Sequence, residues 1–225
     1  MISRLPNWVE TGAFVLALIA GYVNAIGFLS FEHQSVSHVS GTATLIGVGL
    51  LSSSMAQLLH LVGVLVAFFF GAAIAGVLVH GATLKLGRHY DTALIIEALL
   101  LLGAMVLLSE GSSYGHFLAS AACGLQNALA TTYSGAIVRT THVTGIFTDL
   151  GLMLGAALRK QPFDRRKAKL FLIIVCGFIF GGTAGTYAYT QWLYTALVLP
   201  SGACLLLAAL YHGYRRRRRE DLHVE

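Results

Sequence analysis

Gly21-Tyr22-Val23-Asn24-Ala25, then Ser37-His38-Val39-Ser40-Gly41-Thr42-Ala43-Thr44 and Gly47, is a pattern that this chain uses twice. The second version reads Gly124-Leu125-Gln126-Asn127-Ala128, then Thr141-His142-Val143-Thr144-Gly145-Ile146-Phe147-Thr148 and Gly151. Asn24 stands 14 residues before His38, and Asn127 stands 15 before His142. From each His, a Gly, a Thr and a Gly follow at the third, sixth and ninth positions. Composition alone does not produce such a match. It divides the chain into two homologous halves, residues 1–110 and 111–214, followed by a basic tail, 215–225. In a membrane protein, paired interrupted segments point to the functional centre.

The composition places the chain in a lipid bilayer. Of 225 residues, 56% are apolar and 11% charged, against roughly 25% charged in ordinary soluble domains. Mean hydropathy is +0.73. No Asp, Glu, Lys or Arg occurs from Leu45 to His80. The first apolar run reads as a retained span rather than a cleaved signal, because no small-residue cleavage site follows it. Cys123, Cys176 and Cys204 all lie in apolar segments, which implies inert thiols and no disulfide framework.

Eight apolar segments follow one another, four per half. They run at about Trp8–Phe31, His38–Leu51, Gln57–Gly81 and Thr92–Leu108, then Tyr114–Tyr133, His142–Leu158, Lys169–Tyr189 and Trp192–Tyr211. The third segments also match, Phe68-Phe69-Phe70-Gly71-Ala72 answering Phe178-Ile179-Phe180-Gly181-Gly182. Their glycine and alanine clusters suit close packing between helices in lipid. Helices are the expected spanning structure, since the alternation of barrel strands is absent.

The second segment of each half is short. At 1.5 Å per residue these segments reach roughly 21–25 Å, below the ~30 Å hydrocarbon core. If they enter and leave on one side, six crossings remain and the halves are inverted. With a cytoplasmic N-terminus, the inner pieces then hold Arg4, Lys85, Arg88, Arg139, Arg159, Lys160, Arg165, Arg166, Lys167, Lys169 and Arg215 to Arg219, which is every Lys and Arg in the chain. The outer pieces carry Glu32 and Glu110. Eight crossings would put Lys85, Arg88 and Arg139 outside, against the positive-inside rule. The expected fold is therefore an all-α integral membrane protein of two inverted repeats. Each has three spanning helices and one short interrupted or re-entrant helix. The alternative is eight spans in two parallel four-helix repeats.

The Gly-x-x-Asn-Ala pattern with its following Thr/Ser-Gly turn, together with Gly124-Leu125-Gln126-Asn127-Ala128 and Thr148-Asp149-Leu150, resembles the YoaK-like family of bacterial membrane proteins. The resemblance covers nearly the whole chain. It implies a bacterial membrane location, about six membrane spans and no known substrate, while the placement of Lys and Arg puts both termini on the cytoplasmic side of a bacterial inner membrane. The chain departs from that family's pattern at Asn24, where members often carry Asp.

The polar residues of the repeat are the candidate solute contacts: Asn24, His38, Ser40, Thr44, Gln126, Asn127, His142, Thr144 and Thr148. Inverted short helices would present their N-terminal N–H groups toward mid-membrane, which suits a polar or anionic solute. The plainer reading makes the asparagines kink or inter-helix hydrogen bonds, and the His, Ser and Thr residues caps. Asp149 and then Glu97 are the candidate proton-coupling acids, because acids inside a membrane are expensive and functional. The structural alternative for Asp149 is an ion pair with Arg139 or Arg159.

The implied function is a carrier or channel for a small polar or anionic solute, with proton linkage as an option. A non-transporting sensor or assembly partner is the alternative. No enzyme motif, metal cluster or cofactor pattern is present in the sequence. Arg215–Arg219 beside a span reads as an anchor at the anionic inner leaflet, not a nucleic-acid site. The expected partners are the bilayer and the solute, and a homo-oligomer is allowed.

Overall fold

A computed structural model describes residues 7–30, 36–79, 89–134 and 140–221. Those residues form eight α-helices and one 3-10 helix, with no strand among them. The helices are α1 (Asn7–Leu29), α2 (Val39–Ser52), α3 (Met55–Leu78), α4 (Tyr90–Ser109), α5 (Gly115–Ser134), α6 (Val143–Leu158), α7 (Arg165–Trp192) and α8 (Val198–Asp221). The 3-10 helix, Leu193–Leu197, joins α7 to α8. Each expected apolar segment corresponds to one α-helix.

Local chemistry explains where the helices start. Ser54 and Gln57 form a reciprocal capping box on α3. Helix α7 begins before the apolar run because Asp164 accepts from the backbone N–H groups of Arg166 and Lys167, at 3.1 and 3.0 Å. Four stretches are long and apolar enough to cross a membrane: Glu10–Leu29, Met55–Leu78, Tyr90–Ser109 and Arg165–Arg216, the last holding both α7 and α8. Gln126, Asn127, Thr131 and Thr132 make α5 more polar, and it is not one of the four. The chain is thus an all-helical membrane protein.

Side-chain contacts fix the direction of each long helix. At one end of the bundle, Ser30 after α1 meets His116 of α5, Oγ to Nε2 at 3.0 Å. The His116 ring lies 5.4 Å from His60 near the start of α3, edge to face. Leu108 at the end of α4 shares a core with Val36, Ala188 and Ala196 there. At the other end, Glu10 of α1 pairs with Lys169 of α7 at 2.7 Å. Asp91 of α4 meets His212 and Arg215 of α8 at 3.0 and 3.7 Å. Val79, Tyr90, Leu129 and Ala208 close that end. So α1, α4 and α7 run one way, and α3, α5 and α8 the other.

The short helices follow from this. Helix α2 starts beside Asn24, where Ser37 is held, and its C-terminus meets the start of α3 through Ser53 and Ser54 at the first end. Ile146 of α6 packs with Ala130 of α5 and with Leu170 and Phe171 at the start of α7, in one cluster at the second end.

The closest packing joins the halves. A Cβ on Gly21 would overlap the carbonyl of Phe178, and a Cβ on Gly124 would overlap that of Phe68. Gly181 stands in the same way against Leu18, and Gly71 against Ala121. Helix α1 therefore lies parallel to α7 at backbone contact, and α3 lies parallel to α5. Without side chains between them, the helices approach closely enough to recover dispersion energy that lipid cannot supply.

Candidate functional site

The first asparagine is built into a turn. Ser37 donates its hydroxyl to Oδ1 of Asn24 at 2.6 Å, and its backbone N–H lies 3.4 Å from the same oxygen. Ser37, two residues before α2, thus stands at the level of Asn24. The two histidines play one local part. His38 and His142 occupy the positions before α2 and α6, and each imidazole lies over the first turn where Gly41 or Gly145 leaves room. A Cβ at either glycine would overlap the ring. The His-x-x-Gly spacing of the repeat is therefore a packing unit.

The remaining repeat residues divide between the helix surfaces and the core. Ser40, Thr44, Thr144 and Thr148 are exposed. Thr44 donates to the carbonyl of Ser40, and Thr148 to that of Thr144, each at 3.0 Å. Such bonds let a hydroxyl sit on a helix in lipid without an external partner. Gln126 is 1% exposed and Thr140 0%. Among the described residues, Gln126 Nε2, Asn127 Oδ1 and Thr140 Oγ1 are buried without a hydrogen-bond partner.

The two asparagines do not share one level. Taking Ser30 opposite His116 as the register of antiparallel α1 and α5, Asn24 stands level with residue 122. Asn127 is five residues further along, roughly 7 Å toward the other end.

The two candidate acids differ sharply. The side chain of Asp149 is 44% exposed and pairs with Lys167 at 3.3 Å. Arg139, one of its expected partners, lies outside the described residues. Lys167 in turn sits over the ring of Phe171, 5.2 Å from its centroid. Glu97 is 2% exposed, in the middle of α4. Its carboxyl hydrogen-bonds the thiol of Cys204 on α8, and Cys123 on α5 stands within electrostatic reach. Among the described residues its Oε2 has no hydrogen-bond partner. The sequence marked these two cysteines only as apolar-segment residues. Their role as neighbours of the acid depends on how α4, α5 and α8 meet, which no local pattern encodes. Sequence reasoning also passed over the Ser30, His60 and His116 contact, since none of the three lies in the repeated pattern.

No group of three or more His, Cys, Asp or Glu residues arranged to hold a metal occurs among the described residues. What the arrangement offers is a buried carboxyl, two thiols and several unsatisfied amide and hydroxyl atoms inside an apolar bundle. These features define a multi-helix membrane protein with a polar centre. The chain belongs to a family described as "Protein of unknown function (DUF1275)", whose profile matches residues 12–210. No curated protein and no solved structure matches the chain.

Proposed function

We propose that the protein is a carrier or channel for a small polar solute, built from two inverted halves and linked to protons through Glu97. The observation that carries this reading is the reciprocal clasp. The first helix of each half packs at backbone contact on the third helix of the other, through matched Gly and Phe residues. Two halves interlocked in this way are what alternating access needs, because one can rock against the other around a shared centre. The antiparallel course of α1 and α5 supports inversion, since parallel repeats would make these helices parallel. The return of α2 and α6 to the sides they leave supports six crossings.

The placement of charge supports a bacterial inner-membrane location with both termini cytoplasmic. Glu10, Lys169, Arg166, Asp149, Lys167, Asp91 and Arg215 all gather at the second end, as an inner surface rich in Lys and Arg would. We take the YoaK-like resemblance and the matched family to be one group. Asp149, held by a lysine at that surface, is a structural residue in this reading, and Glu97 is the coupling acid.

The test is movement of solute. Purified protein in sealed vesicles should speed the flux of at least one class of solute, whether neutral, anionic or cationic, over protein-free vesicles. A folded, correctly inserted protein that moves none would refute the carrier reading and leave a sensor or assembly partner.

A further inference from the structure

We propose that Glu97 is the exchange site of an antiporter that trades one proton for one small monovalent cation, an alkali ion or a small ammonium; this rests on the carrier reading above. Three observations converge on it.

The first is the identity of the unsatisfied atoms. Glu97 Oε2, Asn127 Oδ1 and Thr140 Oγ1 are buried oxygens without hydrogen-bond partners among the described residues. Buried polar atoms are normally satisfied, so a set of them calls for a missing partner. Oxygen donors of this kind suit a hard cation or an ammonium. Gln126 Nε2 joins the set, and turning its amide end for end presents a fourth oxygen.

The second is their placement. Cys123 shares a buried cluster with Ala98 and Leu101, the residues one and four positions after Glu97 on α4. Gln126 and Asn127 follow Cys123 by three and four residues on α5, so they occupy the same side one turn on. Thr140 lies beyond the end of α5, three residues before Val143, which packs against the buried cluster that includes Ala130. Along α5 the two amides thus lie between the level of Cys123 and the inner end of the bundle.

The third is charge balance. Cys123 from α5 and Cys204 from α8 are the titratable groups facing Glu97 among the described residues, and no basic side chain acts on it. A carrier changes access most readily when its site is neutral, because a bare charge in the bilayer centre is expensive. Protonated Glu97 with an empty site is neutral. Carboxylate Glu97 with a monovalent cation is also neutral. An anion would leave the site negative in either protonation state, with no buried cation among the described residues to offset it. The exchange balances as follows: the carboxyl O–H bond breaks, its proton leaves to the water phase that supplies the cation, and the carboxylate pairs with that cation. On the opposite side the cation leaves and a proton from that phase restores the O–H bond.

Vesicles holding a pH-sensitive dye, clamped at zero potential, test this. Gradients of Na+, K+ or tetramethylammonium are imposed in separate arms, which distinguishes alkali ions from an ammonium. In at least one arm, the wild type should move protons against the cation flow. Glu97→Gln should lose that flux completely, while Glu97→Asp retains part of it and shifts its pH profile. Glu97→Gln must keep the wild-type elution profile and helix content for its loss to count. If Glu97→Gln exchanges as the wild type does, the site is elsewhere and the proposal fails. If no cation moves protons but a neutral or anionic solute crosses in parallel vesicles, the proposal fails and the carrier reading stands. If nothing crosses, both fail.

Discussion

Replacing Gly21 or Gly124 by alanine adds one methyl group at a point where two helix backbones touch. At both positions the new Cβ would lie 2.8 Å from a carbonyl carbon and 3.0 Å from a Cα, those of Phe178 for Gly21 and of Phe68 for Gly124. Carbon atoms rest at about 3.5–4.0 Å, so each helix pair must part by roughly 0.7 Å or more. A gap of that size forfeits about a quarter to a half of the dispersion well for the atoms along the contact. Neither neighbour can rotate away, because the obstructing atoms are backbone. The expected loss is about 1–3 kcal/mol at each site, the range for overpacking. Gly47 and Gly151 supply the control, since a Cβ there meets nothing within 4 Å. Alanine at those two should be neutral or should stabilise the helix by up to about 1 kcal/mol. Thermal or denaturant unfolding in mild detergent reads all four variants. The two clasp variants should fall together and the two controls should not. Equal stability of Gly21→Ala and wild type would refute backbone contact between α1 and α7. A large loss at Gly21 with none at Gly124 would refute the reciprocity of the halves.

On a background with the three native cysteines changed to alanine, Ser113→Cys should react with an impermeant thiol reagent in intact cells, and His89→Cys and Gln161→Cys only after lysis; outside labelling of His89→Cys would favour eight crossings. Asn24→Ala and Ser37→Ala should each cost about 1 kcal/mol, and the double variant little more than either alone, because they remove one hydrogen bond. Additive losses in that cycle would mean the bond contributes nothing. Gly145→Ala should destabilise by about 1–3 kcal/mol through its overlap with the His142 ring, and His142→Ala in the same chain should restore most of the loss. Asp149→Asn should change stability by no more than about 1 kcal/mol, since its pair with Lys167 is partly exposed, and should leave flux intact; abolished flux in a folded variant would return Asp149 to the mechanism.

The helices were legible in the sequence because apolar runs and interrupting polar residues are local signals. The use of the motif was less legible. His38 and Gly41 look like donors at a helix N-terminus, yet the glycine is there to admit the ring. Ranking the acids by depth along the chain placed Asp149 first. That ranking ignored rotation about the helix axis, which turns Asp149 toward Lys167 and Glu97 toward Cys204. Cys123 and Cys204 are 81 residues apart in the chain. Their common neighbour emerges only once α4, α5 and α8 are assembled.

The clasp also has a consequence for synthesis. Helix α1 finds its closest partner in α7, and the last of their glycine contacts, Gly185, is made 156 residues after Leu29. At about 5–20 residues per second, the nascent α1 waits roughly 10–30 s for that partner. Through this interval the Gly21 stripe has no neighbouring backbone to meet, and Asn24 would face the lipid or the insertion machinery. The hydroxyl of Ser37 arrives within a second or two and occupies the Asn24 carbonyl. The second half has no such delay, because α3 is already in place when α5 emerges. The α1–α7 and α3–α5 pairs thus mature under different time pressures, and the locally satisfied asparagine is the one that must wait.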